Sequence, residues 1–227
     1  MLKKILPPIH PEGYIFGVIF FVVTLLLWHL SHFLGCIGLI LTAWCLYFFR
    51  NPDRITPDHE NLIISPADGV ISQIKKMAPP EVLKMGSAPC YRISVFMNVF
   101  NVHVNRSPIS GTVKTIHYHA GKFINASLDK ASDHNERQYF MVENKDLKVG
   151  FCQIAGLIAR RIRCDIQVDD TIKAGERFGL IRFGSRVDVY LPESITPRVI
   201  EGQIAIAGET ILADTKNKAA PYKGVVR

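Results

Sequence analysis

This 227-residue sequence has only two tryptophans and no C-x-x-C pair. Its five cysteines (Cys36, Cys45, Cys90, Cys152, Cys164) are odd in number and widely spaced, and two of them lie in apolar segments. That pattern argues against a disulfide framework and a zinc site, and fits a reducing compartment. Aromatic residues are scarce among the basic ones and no nucleic-acid motif occurs. The formal net charge of +7 therefore points away from nucleic acid, and a basic chain with apolar segments more naturally meets anionic lipid. Charge itself is missing from residues 13–27 and again from residues 33–49. The length suits one globular domain plus an extra segment.

The two uncharged runs carry Phe, Leu, Ile and Val on every face, and a helix apolar all round needs an apolar medium. No small-x-small site separates them, which disfavours a cleaved signal peptide. With their flanks, each approaches the roughly 20 residues that cross the hydrocarbon of a bilayer. Residues 1–50 are accordingly expected to form a membrane-anchoring helical hairpin, spanning or re-entrant. Lys3 and Lys4 precede it, Arg50 and Arg54 follow it, and the connection at 28–32 has neither Lys nor Arg. The positive-inside rule then puts both ends, and the domain of residues 51–227, on the cytoplasmic face.

From residue 61 onward, short β-branched runs alternate with Pro, Gly, Asp and Asn at about ten-residue intervals, the pattern of a mainly β, β-rich α+β domain. Strands are expected over residues 69–74, 91–95, 112–118, 149–158, 160–168, 178–183 and 187–191, and a polar loop over 126–137. Two local patterns recur. Ser65-Pro66-Ala67-Asp68-Gly69 matches Ser107-Pro108-Ile109-Ser110-Gly111, and Ala174-Gly175-Glu176 matches Ala207-Gly208-Glu209. These look like the units of lipoyl and biotinyl carrier sandwiches, although no Lys sits at a turn tip for modification. Such a likeness is architectural and carries no activity.

Gly184-Ser185, between two strand-like runs, is the most informative dipeptide. A Gly–Ser pair is commonly just a turn. Here Gly184 leaves its carbonyl unshielded and permits backbone angles closed to other residues. A serine hydroxyl next to such a carbonyl can attack it, given a nearby base. His103, in an otherwise apolar-alternating stretch, is the candidate base, and Asp68 the candidate orienting carboxylate. Taken alone, one is a core histidine and the other a turn residue. Distant Asp, His and Ser residues nonetheless form relays defined by geometry and not by chain order.

With the hairpin, Phe48-Phe49-Arg50-Asn51-Pro52-Asp53-Arg54, the 65–70 turn, the 102–108 stretch, Asn135-Glu136-Arg137 and the 183–192 site in this order, the chain resembles the short-type, pyruvoyl-dependent phosphatidylserine decarboxylase proenzymes. The resemblance implies self-cleavage between Gly184 and Ser185, with Asp68, His103 and Ser185 as the relay. It implies a covalent pyruvoyl cofactor made from Ser185, which forms a Schiff base with phosphatidylserine and releases CO2 to give phosphatidylethanolamine. It further implies a heterodimer of residues 1–184 and 185–227, with a homodimer of these as a further assembly, at the bacterial inner membrane. No metal is expected. Two departures are visible: Ser185 is followed by Arg186 where many long-branch members have Thr, and Phe100 stands where those members carry a second histidine. Arg186 is expected to pair with the substrate's phosphodiester or its carboxylate, the phosphate being favoured because a carboxylate held by Arg would resist decarboxylation. The run Arg160-Arg161-Ile162-Arg163 either faces lipid phosphate too or is a solvated strand face. Two rivals are a membrane-tethered adaptor, which stays one chain, and a metallopeptidase, for which His103, His117 and His119 lack carboxylate partners at suitable spacing.

Overall fold

The computed structural model describes residues 7–121, 134–145, 147–156, 161–182, 184–217, 219 and 222. The chain divides into two units, Met1–Asp53 with Val99–Val102, and Arg54–Asn98 with His103–Arg227.

In the first unit, helix α1 (Pro11–Leu30) and helix α2 (His32–Phe48) are joined by Ser31 alone. Helix α1 starts where the sequence supplies a cap: His10 Nδ1 accepts from the Glu12 N–H, and Pro11 occupies the first turn, where no N–H is needed. The helices meet through small residues. A Cβ on Gly17 would come 2.6 Å from Leu46, and one on Gly38 2.7 Å from Thr24. Thr24 and Thr42 share a hydroxyl hydrogen bond of 3.0 Å, each also donating to the carbonyl four residues earlier or accepting from its partner. Backbone bonds from His10 N–H to Phe49 C=O (2.8 Å) and from Asn51 N–H to Pro8 C=O (2.6 Å) close the base of the hairpin. Outward, Ile15, Val18, Leu26, Phe33 and Ile40 are all exposed. At about 1.5 Å per residue the 20-residue α1 is about 30 Å long, long and apolar enough to cross a membrane by length and composition.

The second unit is strand-rich. Its strands are β1 (Leu62–Ile64), β2 (Gly69–Met77), β3 (Cys90–Met97), β4 (Val104–Arg106), β5 (Gly111–His119), β6 (Arg137–Glu143), β7 (Lys148–Ala155), β8 (Ile162–Cys164), β9 (Thr171–Ile172), β10 (Arg177–Ile181), β11 (Ser185–Pro192), β12 (Ile204–Ala205) and β13 (Ile211–Asp214). Eight of them form an antiparallel sheet in the order β12-β2-β3-β11-β7-β6-β5-β9, with smaller sheets β1-β13 and β4-β10-β8.

Read from either edge, the large sheet repeats one plan, and the sequence repeats explain why. Each Ser-Pro-x-x-Gly turn launches a strand, β2 or β5, and each Ala-Gly-Glu turn follows a two-residue edge strand, β12 or β9. Ser65 Oγ donates to Ala67 C=O and Ser107 Oγ to Ile109 C=O, closing the same local turn twice. The two motifs then lock together identically: Gly208 N–H donates to Ser65 C=O and Gly175 N–H to Ser107 C=O, both at 2.8 Å. Gly208 and Gly175 carry φ of 77° and 78°, a left-handed conformation that glycine adopts without a Cβ penalty. The centre of the sheet is the pair β11 and β7, and it packs Phe140, Phe151 and Phe178 with ring centroids 4.9–5.0 Å apart.

Three expectations about elements change. The 160–168 run forms only the short strand β8, and the 149–158 strand ends at Ala155, with 157–160 outside the described residues. The expected loop over 126–137 lies outside the described residues as far as 133, but Arg137 opens strand β6. Its Gln-Tyr-Phe-Met-Val run is buried throughout, so it shows no polar alternation to announce a strand.

Candidate active site

Strand β11 starts at Ser185, in register with Met97 of β3 on one side and Ala155 of β7 on the other. Alternation along the strand puts Ser185 on the face of Val187, Val189 and Leu191, which lie in the main core. Ser185 is fully buried, and its hydroxyl has no hydrogen-bond partner among the described residues. Leaving a buried hydroxyl unmatched costs about 1–3 kcal/mol; the Ser94 hydroxyl is buried in the same way, so what distinguishes Ser185 is the unmatched hydroxyl together with the glycine before it. Just before it, Gly184 has φ of +60°, and an added Cβ would meet nothing within 4 Å. Backbone conformation alone, and not crowding, makes glycine suitable there. Phe183, the residue before it, lies outside the described residues.

A buried chain of amides surrounds the register partners of Ser185. Gln153 Nε2 donates to Asn105 Oδ1 at 2.8 Å, and Asn105 Nδ2 contacts Pro66 C=O and the Met97 sulfur. Asn135 Nδ2 donates to Ala155 C=O at 2.7 Å, while Ala155 N–H donates to Glu136 C=O at 2.9 Å. Neither Asn105 nor Gln153 is distinguishable from sequence as more than a polar residue in an apolar strand. The inward parity of Gln153 within β7 is the one signal that could have flagged it.

His103 is fully buried at the lead-in to β4. Its carbonyl accepts from the Ile181 N–H at 3.3 Å, which fixes the His103 backbone beside the end of β10, four residues before Ser185. Asp68 occupies the first Ser-Pro turn, which is joined to β4 by the bond from Arg106 N–H to Pro66 C=O. The Asp68 carboxylate accepts from Arg54 Nη2 at 2.8 and 3.0 Å and from the Ala207 N–H at 2.8 Å. These partners are far along the chain, so Asp68 is more than a turn residue bonded to its own backbone. The segments bearing Asp68, His103 and Ser185 thus belong to one unit and are tied by backbone bonds around β4 and β10.

The opposite face of β11 holds charge. Arg186 is 2% exposed and makes a two-point contact with Asp188, Nε to Oδ1 at 2.8 Å and Nη2 to Oδ2 at 3.0 Å. Arg92 approaches the same carboxylate at 4.0 Å and also donates to Gln73. The expectation that Arg186 meets a lipid phosphate is therefore not what the structure presents: its guanidinium is buried and engaged with a carboxylate. Around Asp188, burial pushes the Cys152 thiol and the Tyr190 hydroxyl well above their ordinary ranges, and the Asp188 carboxylate adds to both. In the basic run, Arg163 pairs with Asp165 at 2.6 Å, and Arg160 lies outside the described residues.

A cavity of about 790 Å³ opens at the other end of β11, beside Pro192, and is lined by His59, Ser110, Lys145, Lys148 and Thr215. It is roughly 23 Å along the strand from Ser185, at about 3.3 Å per residue. Among the described residues, no group of three or more His, Cys, Asp or Glu side chains could hold a metal ion.

Residues 41–213 match the model of the phosphatidylserine decarboxylase family. The phosphatidylserine decarboxylase proenzyme of Rickettsia akari (strain Hartford) is 56% identical over 217 residues, covering 95% of this chain and 94% of its own. That of Rickettsia felis is 55% identical over the same length, and that of Rickettsia bellii (strain OSU 85-389) 56% over 211 residues, 92% of this chain and 91% of its own. A strand-rich domain behind an apolar helix pair, with such relatives, is a decarboxylase, an enzyme of the lyase class. The chain belongs to the phosphatidylserine decarboxylase family, whose members' name, proenzyme, denotes a precursor that is processed.

Proposed function

We propose that this chain cuts itself between Gly184 and Ser185 and then decarboxylates phosphatidylserine to phosphatidylethanolamine. The observation that carries the reading is the buried, unmatched Ser185 hydroxyl directly after a glycine at φ +60°. In the cleavage, Ser185 Oγ attacks the Gly184 carbonyl carbon, the peptide C–N bond breaks, and an ester forms with a free amine on residue 185. Removal of the Ser185 Cα proton expels the Gly184 carboxylate with the C–O electron pair. Water then replaces the nitrogen, which leaves as ammonia, and residue 185 becomes a pyruvoyl end. The products are a large chain of residues 1–184 and a small chain of residues 185–227, held together by β11 in the centre of the sheet.

The residues present fit such a group. Ser185 is buried at the head of a strand paired on both sides, so a carbonyl end there is held in place and shielded from water. When formed, the pyruvoyl group supplies an electron-poor carbonyl that captures a primary amine and accepts the electron pair released as CO2 leaves. His103 takes the proton from Ser185 Oγ in the cleavage and returns a proton to the substrate carbon after CO2 has left. Asp68, whose carboxylate accepts from Arg54 and the Ala207 N–H, orients and stabilises the His103 cation. Residues 1–50 anchor the enzyme in the bacterial inner membrane, with residues 51–227 on the cytoplasmic face, because Lys3, Lys4, Arg50 and Arg54 flank the hairpin and its connection has no Lys or Arg. An amino-phospholipid substrate then lies in the same membrane as the anchor.

The test follows chain cleavage and catalysis in one sample: the full chain is incubated with phosphatidylserine vesicles while CO2 and phosphatidylethanolamine are measured. Activity should grow in proportion to the split chain. Full activity from an intact chain would contradict the reading.

A further inference from the structure

The loop Val99–Val102 connects β3 to the segment that begins at His103, yet it belongs to the helical unit. Arg50 accounts for this. It follows the end of α2 and is bridged through its backbone to Ile9 at the start of the hairpin. Its Nη2 donates to the Phe100 carbonyl at 2.6 Å and its Nη1 to the Tyr47 carbonyl at 2.9 Å, while the guanidinium carbon sits 3.8 Å from the centre of the Tyr47 ring. The loop is thus fastened at the base of the hairpin, where α1 begins and α2 ends.

Within the loop, Val102 is buried, but the Phe100 side chain is 61% exposed. Tyr47, on the last turn of α2, is half exposed at the same base. An aromatic pair beside a cation, at the end of an apolar hairpin, is the composition of a membrane–water boundary: rings sit at headgroup level and arginine meets anionic lipid. The outward apolar faces of α1 and α2 continue toward this base through Tyr14, Ile15 and Tyr47.

We propose that the loop Val99–Val102 is a membrane-contacting element that places Phe100 at the headgroup level of the bilayer beside the hairpin base. Its occupant is a lipid surface, recognised by an aromatic ring and the Arg50 charge. This rests on the membrane-anchored reading of the hairpin given above. The consequence is a length constraint. Three residues of chain span at most about 11 Å, so His103 is tethered within that distance of a bilayer-seated Phe100.

The experiment uses the full chain reconstituted in vesicles of phosphatidylglycerol and phosphatidylethanolamine. Cys36 and Cys164 are changed to serine, and a fluorophore is attached to Phe100→Cys or, as a reference within α1, to Ile19→Cys. Lipids bearing a spin label either at the headgroup or deep in the acyl chain serve as quenchers. The probe at position 100 should be quenched several-fold more by the headgroup label, and the probe at position 19 by the deep label. A quenched probe at 19 with an unquenched probe at 100 overturns the loop proposal and leaves the anchored hairpin intact. Two unquenched probes overturn the anchor and the loop proposal with it. A probe at 100 shielded equally in detergent and in vesicles, and insensitive to both labels, means a protein partner covers the loop and also overturns it. In the same vesicles Phe100→Asp should raise the KM for phosphatidylserine about tenfold, with Phe100→Trp close to wild type, as expected when one aromatic side chain loses its apolar contact.

Discussion

Replacing Gly184 by alanine changes a single property of the cleavage turn. The added Cβ meets nothing within 4 Å, so no neighbour needs to move and the cost is confined to the backbone. At φ of +60° a Cβ crowds the following carbonyl by about 1–2 kcal/mol. If the left-handed conformer is the one that presents the Gly184 carbonyl to Ser185 Oγ, that energy is added to the barrier of the first step. At about 1.4 kcal/mol per tenfold, self-cleavage should slow about 5- to 30-fold. Asparagine, whose short polar side chain tolerates this region, should cleave within about threefold of wild type by the same arithmetic. Cell-free synthesis supplies uncut chain at time zero, and a denaturing gel then follows its disappearance. Alanine cleaving at the wild-type rate, or asparagine as slowly as alanine, would refute the claim that backbone conformation at 184 prepares the bond.

Asp188→Asn removes a carboxylate that faces Arg186 and Arg92 in a buried setting. Breaking a buried pair in this way costs about 3–5 kcal/mol, visible as a large fall in thermal midpoint by circular dichroism; a loss below about 1 kcal/mol would place the pair among those that contribute little. Alkaline pH should destabilise the β-rich unit. Cys152 and Tyr190 are held neutral above their ordinary values of 9.0 and 10.0, so the unfolded chain releases protons first. Their stabilisation is complete below about pH 9, and is lost as pH rises above it by about 1.4 kcal/mol per pH unit for each ionising group. Denaturant unfolding between about pH 8 and pH 11 should show this slope, and Cys152→Ala should remove that thiol's share of the part that begins near pH 9, to which the raised Cys90 and Cys164 thiols also contribute.

Much of the fold is legible in the sequence because its signals are local. The uncharged runs at 13–27 and 33–49 become helices Pro11–Leu30 and His32–Phe48, extended by the His10 cap and the Ser31 break. The Ser-Pro-x-x-Gly and Ala-Gly-Glu repeats become matched turns, although their mutual locking through Ser65 to Gly208 and Ser107 to Gly175 joins residues far apart in the chain. Strand β6 escapes notice because burial on both faces erases alternation. Alternation in Ser185-Arg186-Val187-Asp188-Val189 puts Arg186 and Asp188 together on one polar face. That face is covered, and Arg186 and Asp188 neutralise each other there. Similarly, Asp68 can be singled out from its turn, but Arg54 and Ala207 as its partners come only from the folded chain.

The central claim is tested most directly by the intact mass of the wild-type chain beside Ser185→Ala. Wild type should give two masses, corresponding to residues 1–184 and 185–227, with the smaller chain lighter than simple hydrolysis would leave it by one ammonia. Ser185→Ala should stay whole and inactive. A wild-type chain that decarboxylates phosphatidylserine while remaining a single mass, or a small chain that keeps its amino terminus, would contradict the account.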